Sequence, residues 1–200
     1  MGLVLCLQML AWFLSGVVMT TFPIDLVRGS VNAAEKVTTT LPMDRQLLNI
    51  NELMATNALK NVTTIRLTPV HDSWVYDVRT QDGNQKYDAY SGLSYAGISQ
   101  GQAQQIAVAD FVGDGEFESI SAVSTIPTED GGGQMNGWVV QFNDTWSTRI
   151  YIEQATGRIV KRRNTVWRIY DVFWMLHIMD YEERSDTNNP LLISFAVAGT

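Results

Sequence analysis

The sequence predicts an α+β chain. Two tandem units, each a helix followed by a three-stranded antiparallel sheet, are tethered by an N-terminal transmembrane helix and trailed by a truncated second one. Three observations predict it: an uncharged apolar run at the start, a weak duplication of helix-like and strand-like segments in the middle, and an apolar stretch after Asn188-Asn189-Pro190. At 200 residues the chain has room for one compact domain of ordinary size and a membrane segment.

The first element is the transmembrane helix, assigned to residues 1–24. No charged residue precedes Asp25, and Leu3–Phe22 is almost wholly apolar. At about 1.5 Å per residue such a run reaches about 30 Å, the thickness of a bilayer core. A cleaved signal peptide is the competing reading, with Val31-Asn32-Ala33 as a small-residue cleavage pattern. That pattern lies far beyond the apolar run, which is itself longer than an ordinary signal core and lacks a basic leader. Arg28, Lys36 and Arg45 follow the helix and no cation precedes it, a charge asymmetry that by itself favours a cytoplasmic domain.

Residues 25–45 read as a linker, and the duplication follows. The first unit, 46–97, opens with the helix-like Asn51–Leu59 and continues through strand-like runs at 63–67, 74–78 and 86–90, closed by Ser91-Gly92. The second, 98–163, opens with Ser99–Ala107, whose serine suits a helix cap, and continues through runs at 119–123, 138–142 and 149–153, closed by Thr156-Gly157. Trp74 stands 18 residues before Gly92, and Trp138 stands 19 before Gly157. Alternation in Trp-Val-Tyr-Asp-Val and Arg-Ile-Tyr-Ile-Glu gives each strand one apolar face, as a sheet covered on one side by a helix requires. Asp82-Gly83-Asn84 and Asp130-Gly131-Gly132-Gly133 read as hairpin loops, since neither leads from a strand into a helix as a phosphate-cradling loop does.

Residues 164–184 form an aromatic amphipathic or interfacial helix. At helical spacing Trp167, Tyr170, Trp174 and His177 share one side, and Ile169, Val172, Phe173, Leu176 and Met179 another. Such a helix is either buried under a sheet or laid at a membrane interface, where Trp and Tyr gather and Lys161-Arg162-Arg163 would meet anionic head groups. Residues 190–200 read as the opening of a second membrane helix with proline in its first turn, a buried C-terminal strand being the alternative.

Composition excludes several function classes. The net charge is -7 and Lys161-Arg162-Arg163 is the longest basic run, which argues against a nucleic-acid partner. The single cysteine, Cys6, excludes a disulfide framework and a cysteine-held metal. His71 and His177 lie 106 residues apart, outside any paired-ligand motif. His71, between Pro69-Val70 and Asp72-Ser73, reads as a turn and not as part of a triad, whose members meet through the fold. Asp110, Asp114 and Glu116 lack the spacing of a calcium-binding loop and read as a solvated turn. Asn61-Val62-Thr63 and Asn143-Asp144-Thr145 are glycosylation sequons that matter only in a eukaryotic secretory pathway. No catalytic constellation emerges, and no resident metal or cofactor is expected.

The helix with its three-stranded sheet, ending in Tyr87-Asp88-Ala89-Tyr90-Ser91-Gly92 or in Tyr151-Ile152-Glu153-Gln154-Ala155-Thr156-Gly157, resembles PepSY domains. The flanks carry the likeness further. Leu7-Gln8-Met9-Leu10-Ala11-Trp12 with Ser15-Gly16 resembles the first membrane helix of bacterial PepSY-associated transmembrane proteins. Trp167–Asp171, running into Trp174–Tyr181 and then Asn188–Leu192, resembles the segment that leads into their second. The resemblance implies a fragment with two membrane helices bracketing a periplasmic domain at the bacterial inner membrane, against the charge asymmetry. It also implies a non-enzymatic module that binds or regulates an envelope partner, in some relatives a protease. The alternative it implies is a haem-binding redox subunit in siderophore-iron reduction, with His177 as a ligand of haem b. A hydrogen bond from His177 to Asp180 or a backbone carbonyl is the plainer expectation.

Overall fold

The computed structural model describes residues 2–35, 40, 45–182, 184 and 186–198. Residues 36–39 and 41–44 of the expected linker, 183 of the expected aromatic helix and 199–200 of the expected second membrane segment lie outside them. Helix α1 spans Gly2–Thr21 and is long and apolar enough to cross a membrane, as a membrane anchor or a signal sequence is. Leu3, Leu7, Leu10, Phe13 and Val17 are exposed along it, while Ser15 is fully buried. Pro23 then sets up a single-turn helix α2, Ile24–Val27. The chain beyond it is stitched to the soluble part: the Asn164 amide donates to the Leu26 carbonyl at 2.8 Å, Ala34 N–H to Asp110 at 2.7 Å, and Val112 N–H to Asn32 at 3.0 Å.

In the first unit, Asn49 caps helix α3, Ile50–Thr56, by accepting from the Asn51 amide at 2.8 Å. Strands β1 (Val62–Val70), β2 (Ser73–Thr80) and β3 (Gly83–Asp88) follow as a meander in the order β1-β2-β3. Leu53 of α3 sits over Tyr76, Val78, Tyr87 and Ala89, which close the apolar face of this sheet. Val75 points to the opposite face and joins Val70 in the core of the second unit. The two units therefore share packing.

The second unit opens with helix α4, Gln100–Asp110, whose first turn carries a capping box: Ser99 accepts from the Gln102 amide and the Gln102 side chain accepts from the Ser99 amide. Its sheet has four antiparallel strands where three were expected, β4 (Phe117–Thr125), β5 (Gln134–Phe142), β6 (Arg149–Glu153) and β7 (Ile159–Arg163), in that order. Strand β7 has only two apolar residues, Ile159 and Val160, before three cations, so its sequence looks like a solvated run. It is ordered because each cation finds an internal acceptor. Ala103 and Ala107 of α4 pack on Val140, Phe142, Ile150 and Ile152 on one face of the sheet. Ile126, Met135 and Tyr151 form a smaller cluster on the other face.

The β4–β5 loop lies at that second face and touches helix α5, Thr165–Ile178, through its 3-10 turn. Asn164 caps α5 by accepting from the Trp167 amide at 2.7 Å. The helix ends at Ile178, short of the expected 184, because Met179 turns left-handed with φ 55°. It is not a core helix under a sheet. It lies against α1 along its length, with Val166 and Ile178 buried and Ile169 and Val172 still 41% and 43% exposed. Helix α6, Pro190–Ala198, begins at proline as expected and shows Leu191, Ile193 and Val197 at the surface, so these residues form no buried strand.

Candidate functional site

The chemistry of the chain concentrates around the β4–β5 loop, which sequence reasoning treated only as a hairpin connection. A 3-10 turn at Thr128–Asp130 delivers Asp130 to a position with no solvent exposure. Burial of a lone carboxylate would cost several kcal/mol, roughly, so its partners decide whether the loop can close. Arg149 of β6 donates to Oδ2 at 3.0 Å and also to Glu129 at 2.8 Å, Arg168 of α5 donates to Oδ1 at 3.1 Å, and the Tyr151 hydroxyl makes a short hydrogen bond to Oδ2. Burial, and then the Asp130 charge, push the Tyr151 phenol above its ordinary value, so it stays a donor. The backbone is held in the same way: Arg163 donates to the Asp130 carbonyl at 3.0 Å, and Lys161 to those of Gly131 and Gly132 at 2.7 Å each. The basic run thus serves the loop, and Arg162 is paired with Asp110. Burial lowers the Lys161 ammonium from its usual value and the neighbouring Arg163 lowers it further.

Beside this hub lies a groove of about 550 Å³. The loop glycines form one wall, and Trp167, Asp171 and Trp174, one face of α5, form another. Arg163, Glu182 and Arg184 complete it. The Arg163 guanidinium stacks on the Trp167 ring at 3.7 Å, Arg184 is ion-paired with Asp171, and the Trp174 indole donates to the Arg184 carbonyl at 3.1 Å. Two buried donors on these walls, Trp167 Nε1 and Arg184 Nε, have no acceptor among the described residues. A smaller cleft of about 210 Å³ shares Trp167, Asp171 and Trp174 and is lined by Ile24 and Val27 on its far side.

The outer edge of β4 is the other open feature. The strand pairs only with β5, and among the described residues no other backbone hydrogen bond reaches it. Its nine residues include no proline or cation, and Glu118 is their only charge. A row of unpaired amides and carbonyls is a template for another strand.

The residues named from sequence are dispersed. His177 lies on α5 facing α1, where Nδ1 is 2.9 Å from the Ser15 hydroxyl. The Ser15 hydroxyl is shared between His177 Nδ1 and the Trp12 carbonyl, each at 2.9 Å, so Nδ1 is the engaged ring nitrogen. His71 sits in the β1–β2 turn, 3.2 Å from both Gln105 and Asp72. Asp110 pairs with Arg162, Asp114 accepts from Thr145 at 3.2 Å, and Glu116 N–H donates to Asn143 at 2.6 Å, so the three do not converge. Among the described residues no group of three potential ligands could hold a metal ion. The signal for the hub that sequence reasoning missed is the period of two in Arg149-Ile150-Tyr151, which puts an arginine and a tyrosine on one sheet face opposite an acidic loop. No protein-family model matches the chain, and neither the curated proteins nor the solved structures yield a match.

Proposed function

We propose that this chain is a membrane-anchored, PepSY-like binding or regulatory module whose soluble part faces the bacterial periplasm and acts on an envelope partner such as a protease. The observation that carries the binding role is the open edge of β4, to which an extended partner segment adds as a further strand. Anchoring is favoured over a removable signal by the way α1 is used: its Ser15 is buried against His177 of α5, so removal of α1 would uncover one side of that helix.

The test is a proline pair on the edge strand. Neighbouring strand amides face opposite ways, so of Ser121→Pro and Ala122→Pro one removes an outward amide and the other an amide bonded to β5. With the detergent-purified full chain added to a thermolysin-type protease, we expect inhibition that is lost in the variant whose thermal midpoint is unchanged. A protease fully active in the presence of the parent chain defeats the protease reading. Inhibition that survives both substitutions defeats the edge as the contact.

A second reading, a haem-bearing redox subunit, draws on one specific observation: the Ser15 hydroxyl engages His177 Nδ1, the second-partner arrangement of a ligating histidine, and leaves Nε2 as the ring nitrogen that would meet iron. The described residues fit one axial position; His71, the only other histidine, lies in a distant turn. A haem absorbance band in the purified chain that is lost in His177→Ala would support it, and a colourless protein would end it.

A further inference from the structure

We propose that the groove between the β4–β5 loop, α5 and the side chains of Glu182 and Arg184 binds the head group of a zwitterionic phospholipid, with phosphate on the arginine side and ammonium on the Glu182 side. The lining charges decide the ligand class. Arg184 and Asp171 form an ion pair, which leaves Arg163 and Glu182 as the lining charges of each sign that make none among the described residues. Arg163 spends Nε on the Asp130 carbonyl and Nη1 on that of Arg162, so Nη2, next to Gly131, remains for an acceptor. The buried Trp167 indole N–H lacks one as well. A phosphate diester supplies several acceptor oxygens at once, and guanidinium and indole donors bind it well. The exposed Glu182 carboxylate has no partner among the described residues, and it offers a site for an ammonium within the same groove. A purely anionic ligand would leave Glu182 repelling it, and a purely cationic one would leave Arg163 and Trp167 unmet.

The apolar part of the ligand follows from what adjoins the groove. Trp167, Asp171 and Trp174 separate it from the cleft lined by Ile24 and Val27, so a polar pocket and an apolar one share a single helical wall. These residues stand next to the end of α1, where a bilayer's head-group layer lies if α1 spans it, and where tryptophan is favoured. The inference rests on the anchor reading for its lipid source. A soluble ester with the same phosphate and ammonium offers the same head-group chemistry without the chains.

The test uses the full chain in a maltoside detergent, which carries no phosphate. Tryptophan fluorescence is followed on adding phosphatidylethanolamine, phosphatidylglycerol or soluble glycerophosphoethanolamine. We expect saturable binding of phosphatidylethanolamine, weaker binding of the other two, and about tenfold loss of affinity in both Glu182→Gln and Trp167→Phe, each about 1.4 kcal/mol. Glu182 is exposed, so its substitution leaves folding intact, and the thermal midpoint checks Trp167→Phe. Equal binding of phosphatidylglycerol overturns the zwitterionic assignment, and equal binding of glycerophosphoethanolamine overturns the lipid source. No binding by a chain of normal thermal midpoint overturns the site. Failure of the anchor reading is a separate result, seen as a mature chain whose mass lacks α1, because the described residues that line the groove, from Thr128 to Arg184, include none of α1.

Discussion

Asp130 shows how much one residue's surroundings can differ from its local sequence. Beside three glycines it reads as a turn former, yet it accepts from Arg149, Arg168 and Tyr151 with no water contact. Removing one member of such a buried set strands the others, so Asp130→Ala should lower unfolding stability by about 3–5 kcal/mol. Tyr151→Phe, which deletes one donor, should cost about 1–2 kcal/mol. Chemical denaturation of the detergent-solubilised chain checks both, and equal losses would show that the charge contributes no more than the hydroxyl. None of this was legible from the loop, because the donors come from positions 149, 151 and 168 and meet the carboxylate only once the sheet and α5 are assembled. His177 lies at the opposite pole: its place on a helix near a membrane segment was legible, and its Ser15 partner, 162 residues earlier, was not.

At the scale of elements, helices and strands with clear periodicity were read nearly as they stand, and β6 over 149–153 matches its bounds. Strand β7 was missed because its three cations hide the alternation that pairs it to β6. The connection between the units shows why the two sheets keep their relation. Gly97 has φ +100°, and a Cβ there would lie 2.7 Å from the Gln154 carbonyl oxygen, while the next amide, Ile98, donates to that same oxygen at 2.8 Å. Gly97→Ala therefore strains the backbone and crowds this bond, and a loss of about 2 kcal/mol is expected in the same denaturation measurement. A neutral result would mean that the connection relaxes without cost.

For the whole molecule, the apolar surface decides the behaviour. Leu3, Leu7, Leu10, Phe13 and Val17 of α1 and Leu191, Ile193 and Val197 of α6 are exposed together with Ile169 and Val172 of α5, far beyond the scattered apolar residues of a soluble surface. The chain without residues 1–21 should remain folded in its two sheets, whose cores contain no α1 residue, yet associate in detergent-free buffer through the uncovered side of α5. Size-exclusion chromatography with circular dichroism checks this, and a monodisperse monomer would show that α5 is covered without α1.

The Asp130 loop has one more consequence. It is the tip of the β4–β5 hairpin, it is bolted to α5, and α5 lies along α1. The open edge and the apolar helix are therefore connected through space by two successive contacts, loop to α5 and α5 to α1. A tilt of α1 would reach the β4–β5 hairpin through α5 and the Asp130–Arg168 contact.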